Sequence, residues 1–417
     1  MDRDDRIARY FRGAALLTAF LYSAGYSSVG FALLLGGSLW AVAARRTFPW
    51  ARTVLDLPLG AFGLVLLVSA ARSPYQPVAA GVTAMLVVSG AVYLGAFLWL
   101  FRRDPSAIAS VLRAWAWGAL LTGLAGLLLG LLTHARAEIP RGVGPNGLGT
   151  TLALGSVVAT ALGLQARGRD RWTWMGSSFV ILLGLLATGS RASLAGWIAG
   201  SGYLAWKRLR GQPLRLLLAG AAGMVAVLVA GLLVPQLATR LPNTARDILG
   251  DRIRIWEVSA EMIRGSPWVG TGFGTFGEAY NRWKSPEMSP KPFAHDLWLN
   301  IAVETGLLGL ACAVWIGLRT VAAWRGRPPV PLGGPEADLV DAVVPSLWIA
   351  LLVDQLADNT LFSISTSAVL WMLLALSVTG GRAGSPEPAS VGEAARQDVP
   401  RDRARQVQGA RPGEGIS

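Results

Sequence analysis

One cysteine and two histidines in 417 residues leave little material for metal or redox chemistry. Cys312 lies inside an apolar run with no second cysteine to pair with, so it reads as a small packing residue. His134 and His295 stand far apart, and no pair of ligands has the spacing of a zinc site. Charge is scarce as well: 15% of the residues are charged, against about a quarter in soluble domains. That shortage excludes an ordinary soluble globular domain. What fills the chain instead is hydrophobic residue, 53% of the total. It comes in runs near the roughly 20 residues that cross a bilayer's hydrocarbon. The class expected is an all-α integral membrane protein.

The net charge of +13 is carried almost entirely by arginine, and the arginines punctuate the apolar runs. That pattern encodes membrane topology, not nucleic-acid binding. Twelve spans are predicted, at residues 13–25, 28–44, 54–71, 78–100, 107–132, 147–166, 172–188, 192–206, 214–234, 295–318, 341–357 and 363–379. The charged start, Met1–Arg12, leads into an uncleaved first helix. With the N-terminus inside, the cytoplasmic connections collect Arg45, Arg46 and Arg52, then Arg102 and Arg103, then Arg167, Arg169 and Arg171. Lys207, Arg208, Arg210 and Arg215 follow on the same side, as do Arg319, Arg325 and Arg327. The opposite short connections carry only Arg72, Arg136, Arg141 and Arg191. This is the positive-inside asymmetry, and slipping the count by one helix reverses it. Both termini are therefore expected in the cytoplasm, with loop 235–294 outside. The chain divides into helices one to nine (1–234), the extracytoplasmic loop subdomain (235–294), helices ten to twelve (295–380) and a disordered cytoplasmic tail (381–417).

Within the loop, Asp251 is expected to cap one amphipathic helix running from Arg252 to Arg264, stopped by Gly265 and Pro267. Ile253, Trp256, Ala260 and Ile263 recur at helical spacing and predict its buried face. Arg252 lies one turn from Trp256, whereas Arg254 is about 200° around the helix from Arg252. The two cannot face one ligand without distortion. Gly270, Gly272 and Gly274 form a turn where backbone could approach a ligand closely, although no phosphate-loop pattern accompanies them.

A few residues can carry chemistry. An imidazole titrates near physiological pH, so His295 is either a general base or an interfacial histidine bonded to backbone. Arg191 sits between two spans on the arginine-poor side. It either snorkels to headgroups or anchors an anion through its bidentate fork. Asn146 opens a span on the same side, as a helix cap or a site residue. Glu304, one helical stretch beyond His295, is a membrane carboxylate of the kind that usually has a partner, and tying helices together or orienting the site is its expected role. Asp56 and Asp354 lie within or near apolar runs with no partner visible in the sequence.

Five blocks in order resemble the superfamily of O-antigen ligases and polymerases, bacterial membrane glycosyltransferases. They are Pro145–Gly149, Gly189–Ser193 (Gly-Ser-Arg-Ala-Ser), Arg252–Trp256 (Arg-Ile-Arg-Ile-Trp), Pro267–Phe276, and His295-Asp-Leu through Glu304-Thr-Gly-Leu-Leu-Gly309. The first 140 residues agree in hydropathy alone. The resemblance implies a GT-C-like fold and inverting transfer of a glycan from an undecaprenyl diphosphate carrier, without metal or other cofactor. Its partners would be the carrier-linked donor, a glycan, glycolipid or other hydroxyl acceptor, and the bilayer, with no nucleic acid. The place would be the outer face of the bacterial plasma (inner) membrane. Carried over by residue, Arg191 and Arg252, with Arg254 in the same block, would hold the diphosphate, and His295 would take the acceptor's proton. Asn146, Asp296 and Glu304 would support them. The family usually has Asn after the histidine; Asp296 here would raise that histidine's basicity. The short outer loop offers little surface to recognise a large lipid A core.

The chemistry agrees with this independently. A sugar diphosphate leaves as a stable anion, so the site must supply charge neutralisation and a base. A polymerase that joins repeat units shares all five blocks and stays open. A lipid-linked glycan transporter or flippase would instead place ionisable residues along a midplane pathway.

Overall fold

The computed structural model describes residues 3–45, 52–133, 135–139, 144–215, 245–326, 335–360 and 364–379, with isolated positions between 218 and 225. The described residues form helices and connecting turns only. In chain order these are α1 (Arg3–Tyr22), α2 (Ser27–Arg45), α3 (Asp56–Arg72), α4 (Gln76–Arg103), α5 (Ser106–Thr133), α6 (Pro145–Gln165), α7 (Gly168–Thr188) and α8 (Arg191–Leu209). Then come α9 (Ala245–Gly265), α10 (Phe276–Trp283), α11 (Leu297–Gly326), α12 (Pro335–Gln355) and α13 (Ile364–Val378). Among the described residues, five helices are long and apolar enough to cross a membrane: Ser27–Ala44, Gln76–Arg103, Ser106–Thr133, Pro145–Gln165 and Leu297–Gly326. The expected span at 214–234, His134, Arg141 and the tail 381–417 fall largely or wholly outside the described residues.

Local signals account for the helix ends. Pro77 opens α4 and Arg102 and Arg103 close it. Pro145 opens α6 after Gly144 in extended conformation. Asp56 accepts from the backbone N–H (3.1 Å) and hydroxyl (2.8 Å) of Thr53 at the start of α3, which supplies the partner the sequence left unnamed. In hydrocarbon every backbone group must be satisfied within the fold, which is why apolar runs become helices.

The first half of α11 is broken. Gly306 takes φ 67° and ψ −174°, and the loop before α10 docks into the break. The N–H of Thr271 donates to Val303 O (3.0 Å) and that of Gly272 to Glu304 O (2.9 Å), while Leu307 N–H donates to Pro267 O (2.8 Å). A Cβ on Gly306 would overlap the Trp268 carbonyl, and one on Gly270 would overlap the Glu304 carbonyl. The glycine turn expected to admit a ligand is therefore a close approach to the chain's own helix. Gly306→Ala should lower the melting temperature of the detergent-purified protein by several degrees, since it adds both overlap and a strained φ. Gly60→Ala, where an added Cβ meets nothing within 4 Å, should leave it unchanged. Equal effects of the two would contradict this account of the break.

The loop helix α9 differs from expectation in start and phase. It begins at Ala245, so Asp251 lies within it and pairs with Lys291 (3.0 Å) instead of capping it. Its buried face is Ile255, Val258, Ser259 and Met262, and Ile253 is 46% exposed. Trp256 and Ile263, expected on that face, are partly buried against the same cluster, and Ser259 joins the buried stripe by returning its hydroxyl to Ile255 O (2.8 Å).

Candidate active site

The turn between α7 and α8 is built by two neighbouring residues. Gly189 ends α7 in the left-handed region (φ 63°, ψ 21°). Ser190 then caps α8, its hydroxyl accepting from the N–H of Ser193 (3.4 Å). Arg191 is thereby the first residue of α8, with an exposed side chain. The start of α6 lies against this turn, because a Cβ on Gly149 would come within 2.7 Å of Ser190 Cβ. Arg136 stitches the two together, donating to Asn146 Oδ1 (2.6 Å) and to Thr188 O (2.7 Å). Asn146 and Arg191, distant in sequence, thus stand on adjoining helix starts.

The C-terminal end of α12 completes this side. Asp354 Oδ1 accepts from the Ser193 hydroxyl (2.8 Å). Its Oδ2 accepts from Thr150 (3.0 Å) and from Gln355 (2.6 Å). These are the partners of a buried carboxylate that in sequence had none.

His295 stands just before the start of α11. It is the only non-glycine residue with positive φ (54°) among the described residues, a conformation that marks a constrained position. Its Nδ1 lies 3.6 Å from Asp358 Oδ1; the histidine side chain is 23% exposed and the aspartate 1%. Phe293 meets the imidazole edge-on at 4.8 Å between ring centroids. His295 Nδ1, Asp358 Oδ2 and Asn359 Oδ1 are buried without a hydrogen-bond partner among the described residues. Buried orphan groups of this kind call for an explanation, and an unfilled functional role is one. The carboxylate beside the histidine is therefore Asp358. Asp296, expected in that role, caps α11 instead, its Oδ1 accepting from Leu299 N–H (2.8 Å).

Arg252 lies within α9. It is half-buried, at the edge of α9's packed face. One turn on, the Trp256 indole donates to Ala294 O (3.2 Å), the carbonyl just before His295. Arg254 is exposed on the other side of α9. Glu304 is 4% exposed and accepts from Phe276 N–H (3.0 Å), joining the start of α10 to the broken α11. It ties the loop to α11.

The first turns of α6, α8 and α11 thus border one polar region. Helix N-termini carry partial positive charge and unpaired N–H groups, so such a region favours anions. Sequence reading missed Asp358, Arg136 and the partners of Asp354. One signal was available: Asp354 and Asp358 are two carboxylates four residues apart at the end of an apolar run, where ionisable groups are costly.

An all-helical fold with helices apolar enough to cross a membrane, and an imidazole–carboxylate pair linked through the Asp354–Gln355 turn to the helix start that bears Arg191, defines a membrane protein with a polar site at its helix ends. Residues 176–314 match the family model described as O-antigen ligase, so the chain carries an O-antigen ligase family domain there. That stretch contains Arg191, Arg252, Arg254, His295, Asp296 and Glu304, and excludes Asn146, Asp354 and Asp358. The family implies a glycan-transferring enzyme acting on lipid-linked glycans. No curated protein matches the chain.

Proposed function

We propose that this chain moves a glycan from undecaprenyl diphosphate to an acceptor hydroxyl during cell-surface polysaccharide assembly. The observation that carries the reading is the His295–Asp358 pair, orphaned on its inner atoms and joined to the helix starts that bear Arg191 and Asn146. With Nδ1 turned to Asp358, the neutral imidazole keeps its proton there and leaves Nε2 to act as base, the arrangement by which a carboxylate sets a histidine's tautomer. The 3.6 Å separation shortens to a hydrogen bond as substrate binds, as catalytic contacts commonly do. The acceptor oxygen attacks the anomeric carbon from the face opposite the diphosphate, and its proton passes to Nε2. The bond from that carbon to the diphosphate oxygen breaks with inversion, and the carrier diphosphate leaves as an anion. Arg191 and Arg252 neutralise it by bidentate contacts, which needs no metal.

The proposed setting is the twelve-span topology, with 235–294 on the outer face of the bacterial plasma membrane and both termini cytoplasmic. It is supported by the clustering of Asn146, Arg191, His295 and Asp358 at one end of the helices. At the opposite ends Lys207 meets the carbonyl of Asp341. A cysteine at Ser285, in a Cys312→Ser background, should react with an impermeant maleimide in intact spheroplasts. Labelling only after lysis would reverse the orientation.

The gathering of polar groups at one end supports an enzyme over a transporter. Ligase and polymerase are separated by a strain lacking this chain. Loss of ligation leaves long glycans on the carrier, and loss of polymerisation leaves single repeat units. Absence of any carrier-linked glycan would contradict both.

A further inference from the structure

We propose that Asp354 is a positioning residue of the transfer site, the one carboxylate that holds the Arg191 turn and the Asp358 turn in register. The proposal rests on the glycan-transfer reading above. Asp354 is 1% exposed, and both of its oxygens are used. Through Ser193 (2.8 Å) it grips the first turn of α8, two residues beyond Arg191. Through Thr150 (3.0 Å) it grips α6, the single Thr150 hydroxyl proton being shared between Asp354 Oδ2 and the carbonyl of Asn146 (3.1 Å). Through Gln355 (2.6 Å) it fixes the chain after α12, because the Gln355 amide oxygen accepts from Thr360 N–H (3.1 Å). Asp358 lies inside that 355–360 turn.

The chemistry requires a carboxylate at this point. Two hydroxyls and an amide NH2 converge on it, and a carboxylate is acceptor-only with room for several donors. An asparagine would turn its own NH2 toward at least one of them. Asp354 is no anion ligand itself, since its charge would repel a diphosphate; it acts through the residues it holds. The helices below are pressed together to support this. A Cβ on Gly196 would come within 3.2 Å of Asp354 Cβ, and one on Gly200 within 2.8 Å of Ser346 O. The α8–α12 seam is thus close-packed up to the carboxylate, and the Arg191 turn starts just above it.

The test is steady-state transfer by the full-length protein in liposomes, using carrier-linked glycan as donor. Asp354→Asn, Ser193→Ala, the double variant and His295→Ala are compared. Asp354→Asn should raise donor KM about tenfold and lower kcat, because it loosens both turns. Ser193→Ala should raise donor KM about threefold with kcat near wild type, because it loosens the α8 turn alone. The double variant should match Asp354→Asn, since the two share one hydrogen bond. A merely structural role would reduce yield and melting temperature and leave the KM of the folded fraction unchanged. Folded Asp354→Asn with donor KM within about twofold of wild type, or effects that multiply in the double variant, would overturn the proposal. Should Asp354→Asn not fold, Ser193→Ala decides: a raised donor KM supports the proposal and an unchanged one overturns it. Absence of transfer by the wild-type protein overturns the glycan-transfer reading itself, and so separates that failure from this one; a fully active His295→Ala removes only the assigned base.

Discussion

His295→Ala should reduce glycan transfer by about 100- to 10,000-fold, the range a positioned base contributes. Carrier diphosphate should still bind, because its contacts are assigned to arginine. The size follows from position. The imidazole is partly exposed, its Nδ1 faces a buried aspartate, and its backbone is held at φ 54° by the chain around it. Alanine removes the base and leaves Asp358 without its neighbour. Asp358→Asn should fall in the same direction by a smaller factor, since Nε2 remains while the tautomer is no longer held. Chelators should have no effect on the purified protein, because charge neutralisation is assigned to Arg191 and Arg252. Rates measured with and without EDTA, alongside carrier binding, check all of this together. Activity that disappears on chelation and returns with a divalent metal would contradict the mechanism.

Arg191→Lys and Arg252→Lys should each lose most of the transfer activity, about tenfold or more, although charge is kept. A guanidinium offers a rigid fork that meets two phosphate oxygens at once, whereas an ammonium is a point charge. The loss should appear mainly in donor KM. Arg254→Lys should be mild: Arg254 is exposed on the side of α9 turned away from Trp256 and the His295 segment. Donor titrations of the three lysine variants give the comparison. Wild-type kinetics in all three would remove the arginines from the site.

How far the chain could be read in advance depended on the range of each interaction. Helices were legible because hydrocarbon demands self-satisfied backbone, so apolar runs report them directly. The α7–α8 turn was legible as a boundary between two spans with Arg191 at it, and the Gly189 stop and Ser190 cap that build it were not. Phase within α9 was legible in part: Trp256 and Ile263 pack against the loop's core, while Ser259 occupies the buried stripe with a local hydrogen bond that hydropathy does not register. The carboxylate beside His295 was misplaced for a similar reason. Asp296 is adjacent in sequence yet is drawn to the open N–H groups of α11, while Asp358 arrives from the far end of α12. Pairing across the bundle is a tertiary fact. Asp354 illustrates the same limit, with partners on α6 and α8 that no spacing rule reveals.

The central claim is that this chain itself transfers a carrier-linked glycan to a hydroxyl using His295. The most direct measurement is transfer by the purified protein in liposomes, supplied with undecaprenyl diphosphate-linked glycan and a hydroxyl acceptor, with the anomeric configuration of the product determined by NMR. The account predicts a product of inverted configuration, free undecaprenyl diphosphate released in equal amount, and almost no product from His295→Ala. Retained configuration, or undiminished transfer by His295→Ala, would contradict it.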